Sequence, residues 1–157
     1  MSKIKAHDWL SLNRIVRFGD TDGAGVIHFH NLLRWCHESW EESLDNYGVK
    51  AIDIFPSLVD VDRESPLSIA IPITHCEADF FAPIGIGDQL KVDLAPCKLD
   101  PTSFQIEYKF QRGTNDVAVA CLRHRAINSK TRCRCDLPEG ISRWLEASTL
   151  NRGISSL

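Results

Sequence analysis

No stretch of this 157-residue sequence approaches the roughly 20 consecutive apolar residues that cross a membrane. The opening segment MSKIKAHDWLSLNR also lacks the continuous apolar core of a secretory signal. Both absences point to a cytoplasmic protein without a membrane partner. A basic surplus is missing too. Eighteen Lys and Arg stand against 21 Asp and Glu, a net charge of −3, so no overall positive field gathers nucleic acid. The six cysteines are scattered, and in a reducing compartment such cysteines are free thiols. Only Cys133 and Cys135 are close neighbours, and their C-R-C spacing does not match a zinc knuckle. No Ser/His/Asp arrangement, internal repeat or low-complexity stretch is evident.

What is present reads as one domain spanning residues 1–157, with a core over residues 10–130. Residues 11–18 alternate imperfectly and predict a strand. An acidic, glycine-containing loop follows, and then a long amphipathic helix. Leu33, Cys36, Trp40, Leu44 and Tyr47 recur three or four residues apart as its apolar stripe, and Gly48 is its stop. About 17 helical residues span about 25 Å, enough to cross a small domain. A helical turn is expected over Ala51–Phe55, then a charged loop, DVDRES, between Pro56 and Pro66. Four strand signals come next: residues 69–83 with Pro72 marking an edge or bulge, 88–99, 104–110, and 116–129. Their turn-separated order predicts an antiparallel meander. A short helix, EGISRWLEAS, and a frayed tail close the chain over 138–157. A sheet with one long helix to cover leaves an edge or face for a partner chain, so a homo-oligomer is expected.

The chemistry gathers in RFGDTDGAGVIHFHNLLRW (17–35). Asp22 is followed by the small residues Gly23, Ala24 and Gly25, which let backbone approach a ligand closely. The helix behind the loop directs unpaired N–H groups and the positive end of its dipole toward that carboxylate. A carboxylate beside an oxyanion-accepting helix end is suited to acyl transfer. Asp20 is not expected to share the role of Asp22; it is expected to hold the loop by hydrogen bonds. His28 and His30 share one face at i and i+2, but no third ligand lies nearby in the sequence, so no metal is expected. His75 and His124 fall on strands and read as structural.

The run RFGDTDGAGVIHFHNLLRWCHESWEESL resembles the signature of the 4-hydroxybenzoyl-CoA thioesterase family of hotdog-fold proteins, in which D-x-D-x-A/G-G precedes the central helix. The block PITHCEADFFAPIGIGDQL (72–90) is similar to a second part of that pattern. The helix segment CHESWEESL and the ADFFAP segment resemble the cyanobacterial 1,4-dihydroxy-2-naphthoyl-CoA thioesterases of phylloquinone (vitamin K1) synthesis. The resemblance implies an α+β hotdog fold, with a five-stranded antiparallel sheet wrapped around one long helix, assembled as a dimer or a dimer of dimers. It implies hydrolysis of an acyl-CoA thioester without a cofactor. It aligns the family's catalytic carboxylate with Asp22 and its oxyanion-binding backbone N–H with Phe29. Some relatives carry His at the second position; Phe here leaves the backbone donor intact.

The CoA thiol, with a pKa near ~8.5, leaves readily, so little acid catalysis is needed. The residues leave two routes open for Asp22, attack on the carbonyl or deprotonation of a water. Candidates for contact with the substrate are His30, Lys98 and Arg112, with Arg123 and Arg125 as further cations for the phosphates and Trp35, Phe80 and Phe81 for an aromatic acyl group. Three rivals remain open. They are the same chemistry on 4-hydroxybenzoyl-CoA or a short acyl-CoA, a non-catalytic acyl-CoA-binding hotdog module, and a metal-dependent hydrolase built on His28 and His30.

Overall fold

The computed structural model describes residues 8–57 and 67–155. The charged loop DVDRES lies outside them. Among the described residues a five-stranded antiparallel sheet runs in the order β1-β4-β5-β6-β3. The strands are β1 (Ser11–Ile15), β3 (Ile73–Phe80), β4 (Gln89–Asp100), β5 (Ser103–Arg112) and β6 (Asn115–Arg125). A two-residue pair, β2 (Ile69–Ala70) with β7 (Ile127–Asn128), stands beside it. The helices are α1 (Phe29–Tyr47), the short turn α2 (Ala51–Ile54) and α3 (Glu139–Ser155).

β5 shows why the sheet has one dry face. Phe104, Ile106, Tyr108 and Phe110 are fully buried, while Gln105, Glu107 and Lys109 point the other way. α1 lies on that dry face. It ends where Gly48 adopts a left-handed φ of 114° and donates its N–H to Leu44 and Asp45. Its 19 residues span about 28 Å.

The buried stripe of α1 sits about one residue from the expected one. Leu32, Trp35, Cys36, Ser39, Trp40, Ser43 and Leu44 face the core, whereas Leu33 and Tyr47 are half-buried. Small residues at 39 and 43 let helix and sheet approach. Ser43 tolerates burial because Trp144 of α3 donates its indole N–H to the hydroxyl at 3.0 Å. Periodicity places Ser43 beside the apolar stripe, three residues from Trp40 and seven from Cys36, but its hydroxyl's partner is distant in sequence. Trp35, a candidate acyl-group contact, is part of the core.

One expectation is corrected by the pairing. Only β4-β5-β6 form a meander; β3 pairs with β6 at the far edge instead of with β4. The segment 69–83 breaks at Pro72, where the sequence marks an edge or bulge. Pro72 has no N–H for a ladder; its carbonyl accepts from Arg125, and the register shifts between Ile73 and His75. The last helix is longer than its apolar signal and runs to Ser155, through part of the segment expected to fray. Ile141, Trp144 and Leu145 anchor it in the core. All six cysteines are free.

Candidate active site

The loop between β1 and α1 is pinned at both ends before it reaches Asp22. Val16 and the Gly85–Asp88 turn exchange backbone hydrogen bonds of 2.9 Å. Phe18–Asp20 then make a single 3-10 turn, and the Thr21 hydroxyl donates to the Phe18 carbonyl. Asp20 is buried and bonded on every side. Its Oδ2 accepts the Arg17 N–H at 2.8 Å and its Oδ1 accepts the Arg34 guanidinium at 2.7 Å. Its carbonyl accepts from the His28 N–H and the Asn31 amide. One residue thus joins the start of the loop to the first turns of α1.

Asp22 stands two residues further on, exposed. Its N–H donates to the Val26 carbonyl and its own carbonyl accepts from Gly25, closing a tight loop. Gly25 takes a φ of 78°, which a side chain would strain. Oδ1 of Asp22 accepts the Ala24 N–H at 2.8 Å, and among the described residues no donor bonds Oδ2. The carboxylate is therefore held by one oxygen and free at the other. The chain returns through Ile27, whose N–H donates to the Ile84 carbonyl at 2.8 Å, and enters α1.

His28 caps α1. Its Nδ1 meets the His30 N–H at 3.5 Å, the outer limit of a hydrogen bond, and lies in close contact with Nδ1 of His30. Such a contact needs a proton on one ring and a lone pair on the other. Phe29 occupies the first helical position. Its N–H has no intrahelical acceptor, and its ring is 65% exposed. Among the described residues no three His, Cys, Asp or Glu side chains gather to hold a metal.

A groove of about 460 Å³ opens beside this turn. Val26, Ile27 and Phe29 form one side and the run Phe80–Ile84 the other. Its size and apolar walls suit a small organic group. A larger hollow, about 560 Å³, lies on the outward face of the sheet among Glu77, Asp79, Asp93 and Glu107. Those carboxylates oppose a phosphorylated ligand.

The other sequence candidates are dispersed. Arg112 donates to Oδ2 of Asp88 at 2.6 Å and to the Pro83 carbonyl at 2.8 Å. It staples the turn behind the groove. The Gly85 N–H, and then Arg112, hold the Asp88 carboxyl below its ordinary range. Lys98 pairs with Phe104, at the opposite end of the sheet from the Phe110–Ala118 pair near the groove. Six strand steps, about 20 Å, separate these ends. Arg123 points from the outward face toward Gln105, and Phe80 and Phe81 line the groove. His75 pairs with Glu77 and His37 with Glu41, and His124 is buried. Asp20 holds the loop by hydrogen bonds as the sequence suggests, but sequence reasoning missed its partners Arg34 and Asn31 on the first turns of the helix.

A model of the thioesterase-like superfamily matches residues 16–145. A 1,4-dihydroxy-2-naphthoyl-CoA hydrolase of Prochlorococcus marinus is 62% identical over 150 residues, covering 96% of each chain. A crystal structure from Prochlorococcus marinus str. MIT 9313 superposes with a TM-score of 0.86 at 54% identity, over 92% of this chain and 99% of that one. The crystal structure of a 1,4-dihydroxy-2-naphthoyl-CoA thioesterase from Synechocystis gives a TM-score of 0.75 at 28% identity, over 87% and 94%.

Proposed function

The chain belongs to the thioesterase-like superfamily, and from that membership we propose that it hydrolyses 1,4-dihydroxy-2-naphthoyl-CoA to the naphthoate and free CoA. It is an acyl-CoA thioester hydrolase with the hotdog fold. The substrate follows from near full-length relatives that carry that activity in their names. The observation that supports the chemistry is Asp22, a carboxylate with one oxygen held and one free, a short loop away from an open helix end.

In this reading the apolar groove takes the bicyclic ring between Phe29 and Phe81. The thioester carbonyl oxygen points at the Phe29 N–H, where the end of the helix stabilises the charge that develops there. The free oxygen of Asp22 attacks the carbonyl carbon, giving a mixed anhydride that water then cleaves to the naphthoate and free Asp22, or it takes a proton from a water that attacks the carbonyl directly. CoA departs as a thiolate, so no acid is needed to expel it. His30 borders the same mouth. Arg112 acts through the turn it staples, and no metal or cofactor enters the reaction.

The whole chain acts as one catalytic domain in the cytoplasm, as a homodimer or dimer of dimers. The reason for assembly is β3. Among the described residues it pairs with β6 on one side only, and seven of its eight residues are exposed, including Ile73 and Phe80. A bare edge of that length is a template for a second copy.

The test is thiol release from 1,4-dihydroxy-2-naphthoyl-CoA, 4-hydroxybenzoyl-CoA and acetyl-CoA by the protein and by Asp22→Asn. The naphthoyl thioester should turn over fastest, and the folded variant should lose at least about a hundredfold in kcat. Equal turnover by the variant removes Asp22 from the chemistry; preference for another thioester replaces the substrate.

A further inference from the structure

We propose that His30 selects the acyl group: its Nε2 accepts a hydrogen bond from the ring hydroxyl that stands next to the thioester. The inference rests on the thioesterase reading above. It names the group that tells a 1-hydroxy-2-naphthoyl thioester from one without that hydroxyl.

The groove leaves a need unmet. Every side chain that lines it is apolar, yet the proposed acyl group carries two phenolic hydroxyls. A hydroxyl that leaves water for an apolar wall loses its hydrogen bonds unless the rim supplies one. The other polar side chains of the turn are committed. Thr21 donates to the Phe18 carbonyl, Asn31 to the Asp20 carbonyl and Arg34 to the Asp20 carboxylate. Asp22 is taken up by the reaction. The two imidazoles at the start of α1 remain.

Their contacts fix where the protons are. His28 Nδ1 accepts the His30 N–H as the cap of α1, so it carries a lone pair and His28 holds its proton on Nε2. That same Nδ1 meets Nδ1 of His30. The meeting takes a proton from the His30 side, so His30 is protonated on Nδ1 and bare on Nε2. The capping bond thus sets the tautomer two residues on. It makes the exposed edge of His30 an acceptor rather than a donor.

The position suits one hydroxyl and not the other. The His30 ring stands edge-on to the Phe29 ring, with centroids 6.2 Å apart. Phe29 is a wall of the groove and, in the reading above, the donor to the oxyanion. A carbonyl oxygen at the Phe29 N–H holds the neighbouring 1-hydroxyl against the same helical turn, one residue from His30. The 4-hydroxyl, further round the ring, points away from that turn. A phenol that donates to His30 also turns its hydrogen away from the thioester carbonyl, which leaves that oxygen to the Phe29 N–H.

The test is selectivity, measured as kcat/KM for 1-hydroxy-2-naphthoyl-CoA over that for 2-naphthoyl-CoA. The protein is compared with His30→Leu and His30→Gln, so the intrinsic reactivities of the two thioesters cancel. His30→Leu removes the acceptor, and the ratio should fall about tenfold, as for the loss of one hydrogen bond. His30→Gln keeps an acceptor oxygen and should hold the ratio within about threefold of the parent. The corresponding ratio for 4-hydroxy-2-naphthoyl-CoA should be the same in all three proteins. A merely structural role lowers every thioester alike and leaves the first ratio unchanged; that outcome overturns the proposal, as does an equal fall for the 4-hydroxy thioester. Nitrogen NMR of the imidazoles gives a readout independent of turnover. His30 should be protonated at Nδ1 and bare at Nε2, and 1-hydroxy-2-naphthoate should shift the Nε2 signal where 2-naphthoate does not. A protonated Nε2, or the same response to both acids, overturns the proposal. Failure of the thioesterase reading looks different: the parent then releases thiol from none of the three thioesters, while the nitrogen signals still answer for His30.

Discussion

At one end of the sheet Trp40 and Phe104 close on His124 at ring separations of 4.5 and 5.0 Å, and none of the three is exposed. At the other end Phe29 and Phe81 leave 65% and 59% of their surface open. The same helix and the same strands supply both ends. Aromatic residues seal the first because α1 and α3 both cover it, with Trp144 reaching Ser43 from the third side. They stay open at the second because α1 begins there and Phe29 and His30, its first two residues, face solvent. The sealed end keeps the fold; the open end takes the ligand. A substitution should therefore move stability at one end and turnover at the other.

The largest stability effect is expected at His124, and it depends on pH. Burial, and then the neighbouring His37, push the imidazole down to about 4, against a weaker pull from the Ile71 backbone. His37 stands 6.1 Å away and is itself paired with Glu41. In the unfolded chain the group titrates near ~6.5. Between those values the unfolded state binds the proton and the folded state does not. The contribution is thus fully present above pH ~6.5 and is lost as pH falls toward 4, about 3 kcal/mol in all. Urea unfolding of the protein and of His124→Phe at pH 7 and pH 4.5 measures this. The parent should lose more stability than the variant; equal losses would show that the sealed end carries no proton cost.

A smaller effect sharpens the contrast within the loop itself, where Asp20 and Asp22 are two residues apart. Asp20→Asn gives up the ion pair with Arg34 and weakens the bond from Arg17, costing about 1–3 kcal/mol. Turnover should fall with it, about tenfold, because the loop that aims Asp22 loses its anchor. Asp22→Asn should leave the melting temperature alone, since its amide oxygen still accepts the Ala24 N–H. If the two variants melt alike, the division of labour between the carboxylates is wrong.

Much of this is legible in the chain. Alternation locates β5 to within two residues, and Gly48 stops α1 where it ends. The opposition of Asp20 to Asp22 does not follow from a period of two, which puts residues two apart on one face; the 3-10 turn over Phe18–Asp20 separates them. The signals that fail are those that depend on distant partners. Ser43 finds its partner only when Trp144 is placed against it, whereas Pro72, read as an edge or bulge, does lie beside the edge strand β3 where the register shifts. Adjacency in sequence sets β3 beside β4, whereas β6 claims it from far along the chain. Arg112 shows the same limit for the site: charge and position suggest a phosphate contact, and Asp88 with Pro83 takes its guanidinium.

The smallest change in stability should come from Phe29. Its ring packs on His28 at 4.6 Å and meets His30 edge-on at 6.2 Å but is 65% exposed, so little apolar surface is lost when it is removed. Phe29→Ala should alter unfolding free energy by no more than about 0.5 kcal/mol. Its backbone N–H survives the substitution, so the oxyanion contact is kept and kcat with the naphthoyl thioester should change little. What is lost is one wall of the groove, and that appears in KM. A bicyclic acyl group depends on both walls, whereas an acetyl group is too small to span them. KM for 1,4-dihydroxy-2-naphthoyl-CoA should rise about tenfold, the value of one well-placed aromatic contact, with acetyl-CoA turnover unaffected. A fall in kcat for both substrates would mean that the Phe29 ring positions the helix end rather than the ligand, and the open end would then be less independent of the fold than its exposure suggests.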